Sequence, residues 1–483
     1  MILKDSKFYL LSSLFTVCVN FFTLPIFTAY LSVADYGVVG LFLLFGSTIF
    51  SLIAFGLNTA TYGLYFKYSE VEFRSLNTTV FIFLNFVFIV VGLICVFPLA
   101  NDISSRIFNN QLDENLIRLS FLNGYISYFY TFYGQLLVAQ KRTKVFSALV
   151  IFQVLLNALL TFYFIIYHSF TYEAPIYGVL ISNFIVLLIS LFCNKNLFVL
   201  NFSKSKIKKA LVFGTPEVPN VIVSLLYGAF DRLMLVNYKG LNDIGYYEFG
   251  NRFAGILKIF IDALGKSFSP FFLEKSNEKN DTSKYEIINA FYNLSFILGF
   301  IGLGVAYFSE EALVILTTPE FYVSKYLVPA LVAYYLFGII GQLSMNQLIA
   351  AEKLYYLAPI SIVGLTVNIA VNIFLIPSYG VYGAVLSTVI SSFITSLLLF
   401  YYGNKAFPLP IDITKLIRFF FVLISFLAFS YPALMTDYNY FIKLIIKLCL
   451  LGAFCLVSVK LRYADISQMI VGFRRIKIAF KKF

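Results

Sequence analysis

The chain has no tryptophan, a single histidine (His168) and only five cysteines among 483 residues. One histidine cannot build a metal cluster. Cys18, Cys95, Cys193, Cys449 and Cys455 all lie in apolar runs with no Cys-x-x-Cys spacing, so neither a metal site nor a disulfide is expected. Without tryptophan, tyrosine has to supply any interfacial aromatic belt. Charge is scarce as well: 12% of residues are charged, 60% are hydrophobic, and the mean hydropathy is +0.86. A soluble domain is nearer half apolar and a quarter charged. There is no phosphate-cradling glycine loop and no Ser/His or Cys/His arrangement in a soluble segment, which argues against ATP hydrolysis and against covalent chemistry generally. The composition is that of an all-α, polytopic membrane protein, and not that of an enzyme.

Apolar runs of about 20 residues match about 30 Å of hydrocarbon. Fourteen such spans are expected, at roughly 8–31, 38–60, 76–99, 116–138, 146–167, 175–193, 211–237, 245–270, 287–308, 326–349, 355–376, 381–402, 413–432 and 438–459. The start has a basic lead and an apolar run like a signal peptide, but no small-x-small cleavage site; it continues into a full span and is expected to be retained. The net charge of +12 sorts by loop. With the N-terminus inside, about 25 Lys and Arg fall on inner segments and about four on outer ones, so both ends are expected in the cytoplasm.

The chain repeats itself. QLLVAQK (Gln135–Lys141) matches QLIAAEK (Gln347–Lys353); YLSVADYG (Tyr30–Gly37) matches YKGLNDIG (Tyr238–Gly245); IYGVLIS (Ile176–Ser182) matches VYGAVLS (Val381–Ser387). The offsets are about 212, 208 and 205 residues, in matching order, which makes two copies of one six-helix unit. Six is even, so the copies are parallel and related by an axis along the membrane normal, with the substrate site expected between them. The organisation is therefore an N-lobe at 1–193, a basic cytoplasmic linker at 194–210, a C-lobe at 211–402, two added helices within 403–459, and a cytoplasmic tail at 460–483. In the tail, apolar residues from Ile466 to Phe480 recur at helical spacing among Arg and Lys. Two readings stand: an interfacial helix on the anionic inner leaflet, or a basic tail that only fixes topology.

Charges at membrane depth concentrate in spans 7 and 8. They are costly in lipid unless they face a bundle interior or a water-filled cavity. On span 8, Glu248, Arg252, Gly255, Asp262 and Lys266 fall within roughly 40° of one line, with Lys258 at the edge. Span 7 does the same with Glu217, Asn220, Ser224, Gly228 and Asp231, while Arg232 stands apart. Pro216 and Pro219 bend its start. Span 1 carries Pro25 and a polar stripe that includes Asn20. The bland alternative is that Glu248–Arg252 and Lys258–Asp262, each at i,i+4, merely neutralise one another. Arg252 and Asp231 also lie near the outer edge, where snorkelling is easy, and Lys447 in span 14 and His168 at the outer edge are read as structural.

DRLMLVNYKGLNDIGYYEFGNRF (Asp231–Phe253) followed by FSPFF (Phe268–Phe272) resembles the seventh and eighth helices of the bacterial polysaccharide transporter family, the Wzx-type O-antigen flippases. YLSVADYGVVGLF and NIFLIPSYGVYGAVLSTVIS (Asn372–Ser391) match the same family, and the likeness covers about residues 1–402. The family belongs to a superfamily with the MATE exporters and lipid II flippases. The resemblance implies two six-helix lobes around a central cavity, alternating access, and an undecaprenyl-pyrophosphate-linked oligosaccharide turned across the bacterial inner membrane. It leaves open whether a polysaccharide polymerase or glycosyltransferases bind the protein. Arg232, Arg252 and Lys258, with Asn20, are the candidate substrate-binding residues; arginine suits bidentate phosphate contact. Glu217, Asp231 and Asp262 are candidates to carry a coupled proton or sodium ion. The alternative is a cation-coupled MATE-type exporter, which needs an acidic, aromatic cavity but not these cations. A membrane glycosyltransferase would need large outer loops, and every outer loop here is short.

Overall fold

A computed structural model describes residues 2–199, 201–215, 218–278, 280–435, 439–461 and 463. They form nineteen α-helices with short 3-10 and π segments, and among the described residues there is no strand. In order these are α1 (Ile2–Tyr30), α2 (Val33–Ile53), α3 (Leu57–Tyr65), α4 (Glu70–Val91), α5 (Ala100–Ile107), α6 (Glu114–Ala139), α7 (Thr143–His168), α8 (Glu173–Cys193), α9 (Lys204–Gly214) and α10 (Val218–Tyr238). The series continues with α11 (Leu241–Asn277), α12 (Asp281–Tyr307), α13 (Ser309–Leu316), α14 (Val328–Ala350), α15 (Leu357–Tyr379), α16 (Val381–Ala406), α17 (Ile413–Ala428), α18 (Ser430–Met435) and α19 (Tyr440–Lys460).

A long helix stands at each of the fourteen expected places. Among the described residues, eleven helical stretches are long and apolar enough to cross a membrane. Of the remaining three, α6 and α11 have the length but not the composition, and the apolar part of α1 is only Phe15–Tyr30. The protein is thus an all-α, multi-pass membrane protein, and a count of fourteen crossings requires α1, α6 and α11 to cross as well.

Besides shifts of several residues at helix ends, two expected spans are interrupted. The second span does not run unbroken to residue 60. It stops at Ile53, turns through Phe55 and Gly56, both left-handed (φ 50° and 68°), and restarts as α3. The seventh does not begin at 211, because Leu211–Gly214 end α9, a separate short helix that starts in the linker. The fate of the tail beyond residue 463 lies outside the described residues.

The chain divides into two compact units. One comprises Met1–Glu248, Leu316–Glu320 and Ile376–Val381; the other comprises Phe249–Ile315, Phe321–Leu375 and Tyr382–Phe483. This division is one of packing, whereas the lobes expected from the sequence follow internal repetition, a different property. In the first unit α2 packs on α6, α7 on α1 and α8, and α9 on α3 and α4. In the second, α12 packs on α14 and α19, and α17 on α14 and α19. Lipid offers no hydrophobic drive between helices, so polar stitches and close packing hold them. In the first unit Gln153 donates to Asn183 (2.9 Å), Asn183 to Ser127 (2.9 Å), and Gln140 to Asn194 (2.7 Å).

The matching motifs end their helices alike. After α6 the backbone bonds run from Gln140 N to Leu136 O, Lys141 N to Val138 O and Arg142 N to Leu137 O. After α14 they run from Ala351 N to Gln347 O, Glu352 N to Ile349 O and Lys353 N to Leu348 O. Lys141 and Glu352 are both left-handed, at φ 60° and 56°. A side chain there costs about 1–2 kcal/mol that glycine would save. The structural match is one residue out of step with the sequence match, so the second copy closes its helix one residue earlier.

Candidate functional site

The charged hairpin is made by α10 and α11, joined at Lys239 and Gly240, whose φ of +98° suits glycine. The first turns of α11 cross α2 closely. A Cβ on Gly37 would lie 2.3 Å from the Leu241 carbonyl oxygen, and one on Gly245 would lie 2.0 Å from that of Val33. Positions 33 and 37 of the first motif correspond to 241 and 245 of the second, so the contact is reciprocal. That is the pattern a two-fold relation generates, in which i meets j′ and i′ meets j. Asp243, the counterpart of Asp35, accepts from the backbone N–H of Val381 (2.8 Å) at the start of α16. Asp35 instead closes a capping box with Ser32 at the start of its own α2.

Within this frame four side chains meet. Asp231 on α10 is 2% exposed and accepts from the Tyr247 hydroxyl at 2.9 Å. Arg232 donates to the Glu248 carboxylate and to the Gly228 carbonyl, and its guanidinium lies 5.4 Å from the centre of the Tyr247 ring. The Arg232 and Glu248 side chains are mostly covered, at 15% and 25% exposure. Gly40 of α2 makes room for Glu248, since a Cβ there would lie 2.9 Å from its Cγ. Arg232, which stands apart on the helical wheel of span 7, therefore finds its partner on the next helix. The cluster holds two carboxylates to one guanidinium, so its formal charge is negative when both acids are ionised. Chemically it offers a tyrosine-bound carboxylate beside an arginine paired with a second carboxylate.

Further along α11, in the other unit, Arg252, Lys258 and Asp262 are exposed. Among the described residues neither Lys258 nor Asp262 makes an ion pair, so self-neutralisation at that i,i+4 spacing is not what the structure shows. Asn20 is exposed on α1, where its carbonyl accepts from the Thr23 hydroxyl (3.2 Å). Glu217 and Pro216 lie outside the described residues. Tyr247 was missed by the sequence reading. Its one signal there is that it directly precedes Glu248; nothing in the pattern ties it to Asp231.

A second cluster was missed apart from Lys447. In the second unit Glu310 is met by Lys325 (2.8 Å), Lys443 (3.4 Å) and Lys447 (3.5 Å), and Lys447 also pairs with Glu311 at 2.7 Å. Lys447 is fully buried. The structural reading of Lys447 fits this arrangement, in which the residue pairs in the interior. Burial pushes the Glu310 carboxyl up, but its hydrogen bond from Lys325 and the charges of Lys325, Lys443 and Lys447 outweigh that and hold it below the ordinary carboxylate range. The same pairing raises Lys325 against the opposing effect of burial.

Comparison with known proteins places the fold. The chain resembles the lipid II flippase MurJ in an inward closed conformation, with a TM-score of 0.71 at 16% identity over 94% of this chain and 98% of that one. It also resembles a multidrug resistance MATE family transporter of the MOP superfamily in an inward-facing conformation, with a TM-score of 0.64 at 14% identity over 81% and 94% of the two chains. By sequence it is 26% identical over 368 residues to Lsg locus putative protein 1 of Haemophilus influenzae, covering 74% of this chain and 85% of that protein. The profile of the family described as polysaccharide biosynthesis protein matches residues 2–275, more than half of the chain. The protein is a multi-pass membrane protein with the fold shared by these flippases and transporters, and it belongs to the polysaccharide biosynthesis protein family.

Proposed function

We propose that this protein is a flippase that turns an undecaprenyl-pyrophosphate-linked oligosaccharide from the inner to the outer leaflet of the bacterial inner membrane by alternating access, with both termini cytoplasmic. The observation that carries the reading is the exposure of Arg252 and Lys258 on α11, within an expected span. Cations left uncovered by protein at that depth are costly in lipid, and an aqueous path for an anionic headgroup removes the cost. Arg232 adds a third cation whose carboxylate partner can be exchanged for a diphosphate. The family match supports a role in polysaccharide synthesis, and the fold is one that flippases and transporters share.

The test is Arg252→Gln and Lys258→Gln, scored for membrane abundance and surface polysaccharide together. Loss of one charge-assisted phosphate contact, about 1.5–3 kcal/mol, should lower export roughly tenfold or more with abundance unchanged. Normal polysaccharide at normal abundance in both variants removes them from the mechanism, and lower abundance alone makes them structural. A cation-coupled exporter is the second reading. It is favoured by the surplus carboxylate of the Asp231–Arg232–Glu248 cluster and predicts that Asp231→Asn abolishes ion coupling while Arg252→Gln and Lys258→Gln leave transport intact.

A further inference from the structure

The helix α9 is electrostatically wrong for water. Its eleven residues, KSKIKKALVFG, carry four lysines and no acid. All four lie in the first six residues, against the positive end of the helix dipole, and Lys204 and Lys208 repel at i,i+4. Ser203 caps the N-terminus through the Lys206 N–H. Lys206 is committed, donating to the Glu72 carbonyl on α4 at 2.7 Å. Glu72 also acts electrostatically on Lys206 and Lys209, one carboxylate against four cations. Ile207 and Ala210 are buried against α3 and α4, which fixes the face that packs. Lys204, Lys208 and Lys209 are exposed. So is Val212 (69%) near the far end of the helix, beside Phe213, whose ring lies 5.1 Å from the Lys67 ammonium. The exposed surface thus changes along the helix from basic to apolar just before the chain enters α10.

We propose that α9 docks on an anionic phospholipid surface, with Lys204, Lys208 and Lys209 at the headgroup phosphates and Val212 among the acyl chains beneath. Charge complementarity identifies the partner. Phosphates beside the first turns relieve both the dipole and the lysine–lysine repulsion, and a bilayer also covers the apolar end, which a soluble anion cannot. The position is continuous with the membrane, since α9 packs on α4 and leads into α10, each containing a stretch able to cross it. The inference is independent of what the protein carries.

The absence of tryptophan makes the test direct, because Val212→Trp gives a protein with one indole. The full-length variant is reconstituted in nanodiscs of phosphatidylcholine and phosphatidylglycerol, with bromine on the acyl chains of one lipid or the other at equal total bromine. The indole should be quenched in both, and about twofold more by the brominated phosphatidylglycerol. That excess should vanish when Lys204→Gln, Lys208→Gln and Lys209→Gln are added, and survive the corresponding triple change to Arg. Lys206 is left in place to preserve packing. An unquenched indole, equal quenching by the two lipids, or an excess that persists in the triple Gln protein would each overturn the proposal, and the first two comparisons need no lysine variant to fold.

Discussion

The Asp231–Arg232–Tyr247–Glu248 cluster and the Glu310–Glu311–Lys325–Lys443–Lys447 cluster use the same kinds of residue to different ends. In the second, five charges converge within hydrogen-bonding distances, and the most deeply buried of them, Lys447, has a carboxylate at 2.7 Å. Such a group pays for its own desolvation only while every partner is present. The first cluster is smaller and carries a surplus acid. It leads along α11 to Arg252, Lys258 and Asp262, which protein leaves uncovered. The contrast is between charges that converge in the protein interior and charges that protein leaves exposed along a helix.

The comparison breaks most visibly at Lys447. Lys447→Met strands Glu311, whose Oε2 already lacks a hydrogen-bond partner among the described residues, and should cost about 3–5 kcal/mol. Thermal unfolding in detergent should show a large fall, and Lys447→Met with Glu311→Leu should recover most of it. If the single variant unfolds like the parent, the cluster is not structural.

A smaller effect lies in acid. Glu310 is held below its ordinary range when folded, so its contribution is present above the unfolded carboxylate value of about 4.3 and is lost as pH falls through the lower folded value. Lys325 is raised, so its share is present below about 10.4 and is lost as pH rises through the higher folded value. Unfolding temperature measured against pH should therefore fall on the acid side, and Glu310→Gln should flatten that limb. An unchanged acid limb would assign it to other carboxylates.

The smallest stability effect is expected at the other cluster. Tyr247→Phe removes one hydrogen bond to Asp231 and should cost about 1 kcal/mol. If Asp231 carries a coupled proton, the same change should shift the pH dependence of transport in vesicles while abundance holds. A stability loss as large as that of Lys447→Met would place both clusters in one class.

The helices were legible because an apolar run of about 20 residues has few other uses. Of the three short motifs that recur in order, one pair closes its helices alike at Lys141 and Glu352, and another meets at the crossing of 33–37 with 241–245. The break at Phe55–Gly56 was not legible, because apolar residues continue on both sides of it. Nor was α9, whose lysines read as linker and whose Leu211–Gly214 read as the next span. At the site, periodicity gave the composition of each stripe but could not say what a stripe meets. Arg232 looked isolated because a helical wheel contains one helix, and its partner stands sixteen residues away on another. Glu310 and Glu311 were overlooked for the same reason, since Lys325, Lys443 and Lys447 reach them from other elements.

The crossing of Val33–Gly37 with Leu241–Gly245 constrains both sequence copies at once. Each side supplies the same two positions, which is how a protein that repeats its own sequence comes to read itself across one contact. The two stretches are tied together there, because a larger side chain at either glycine strikes the main chain of the opposite copy. The halves are free to diverge in what they line and what they bind, but at this crossing each remains the other's template.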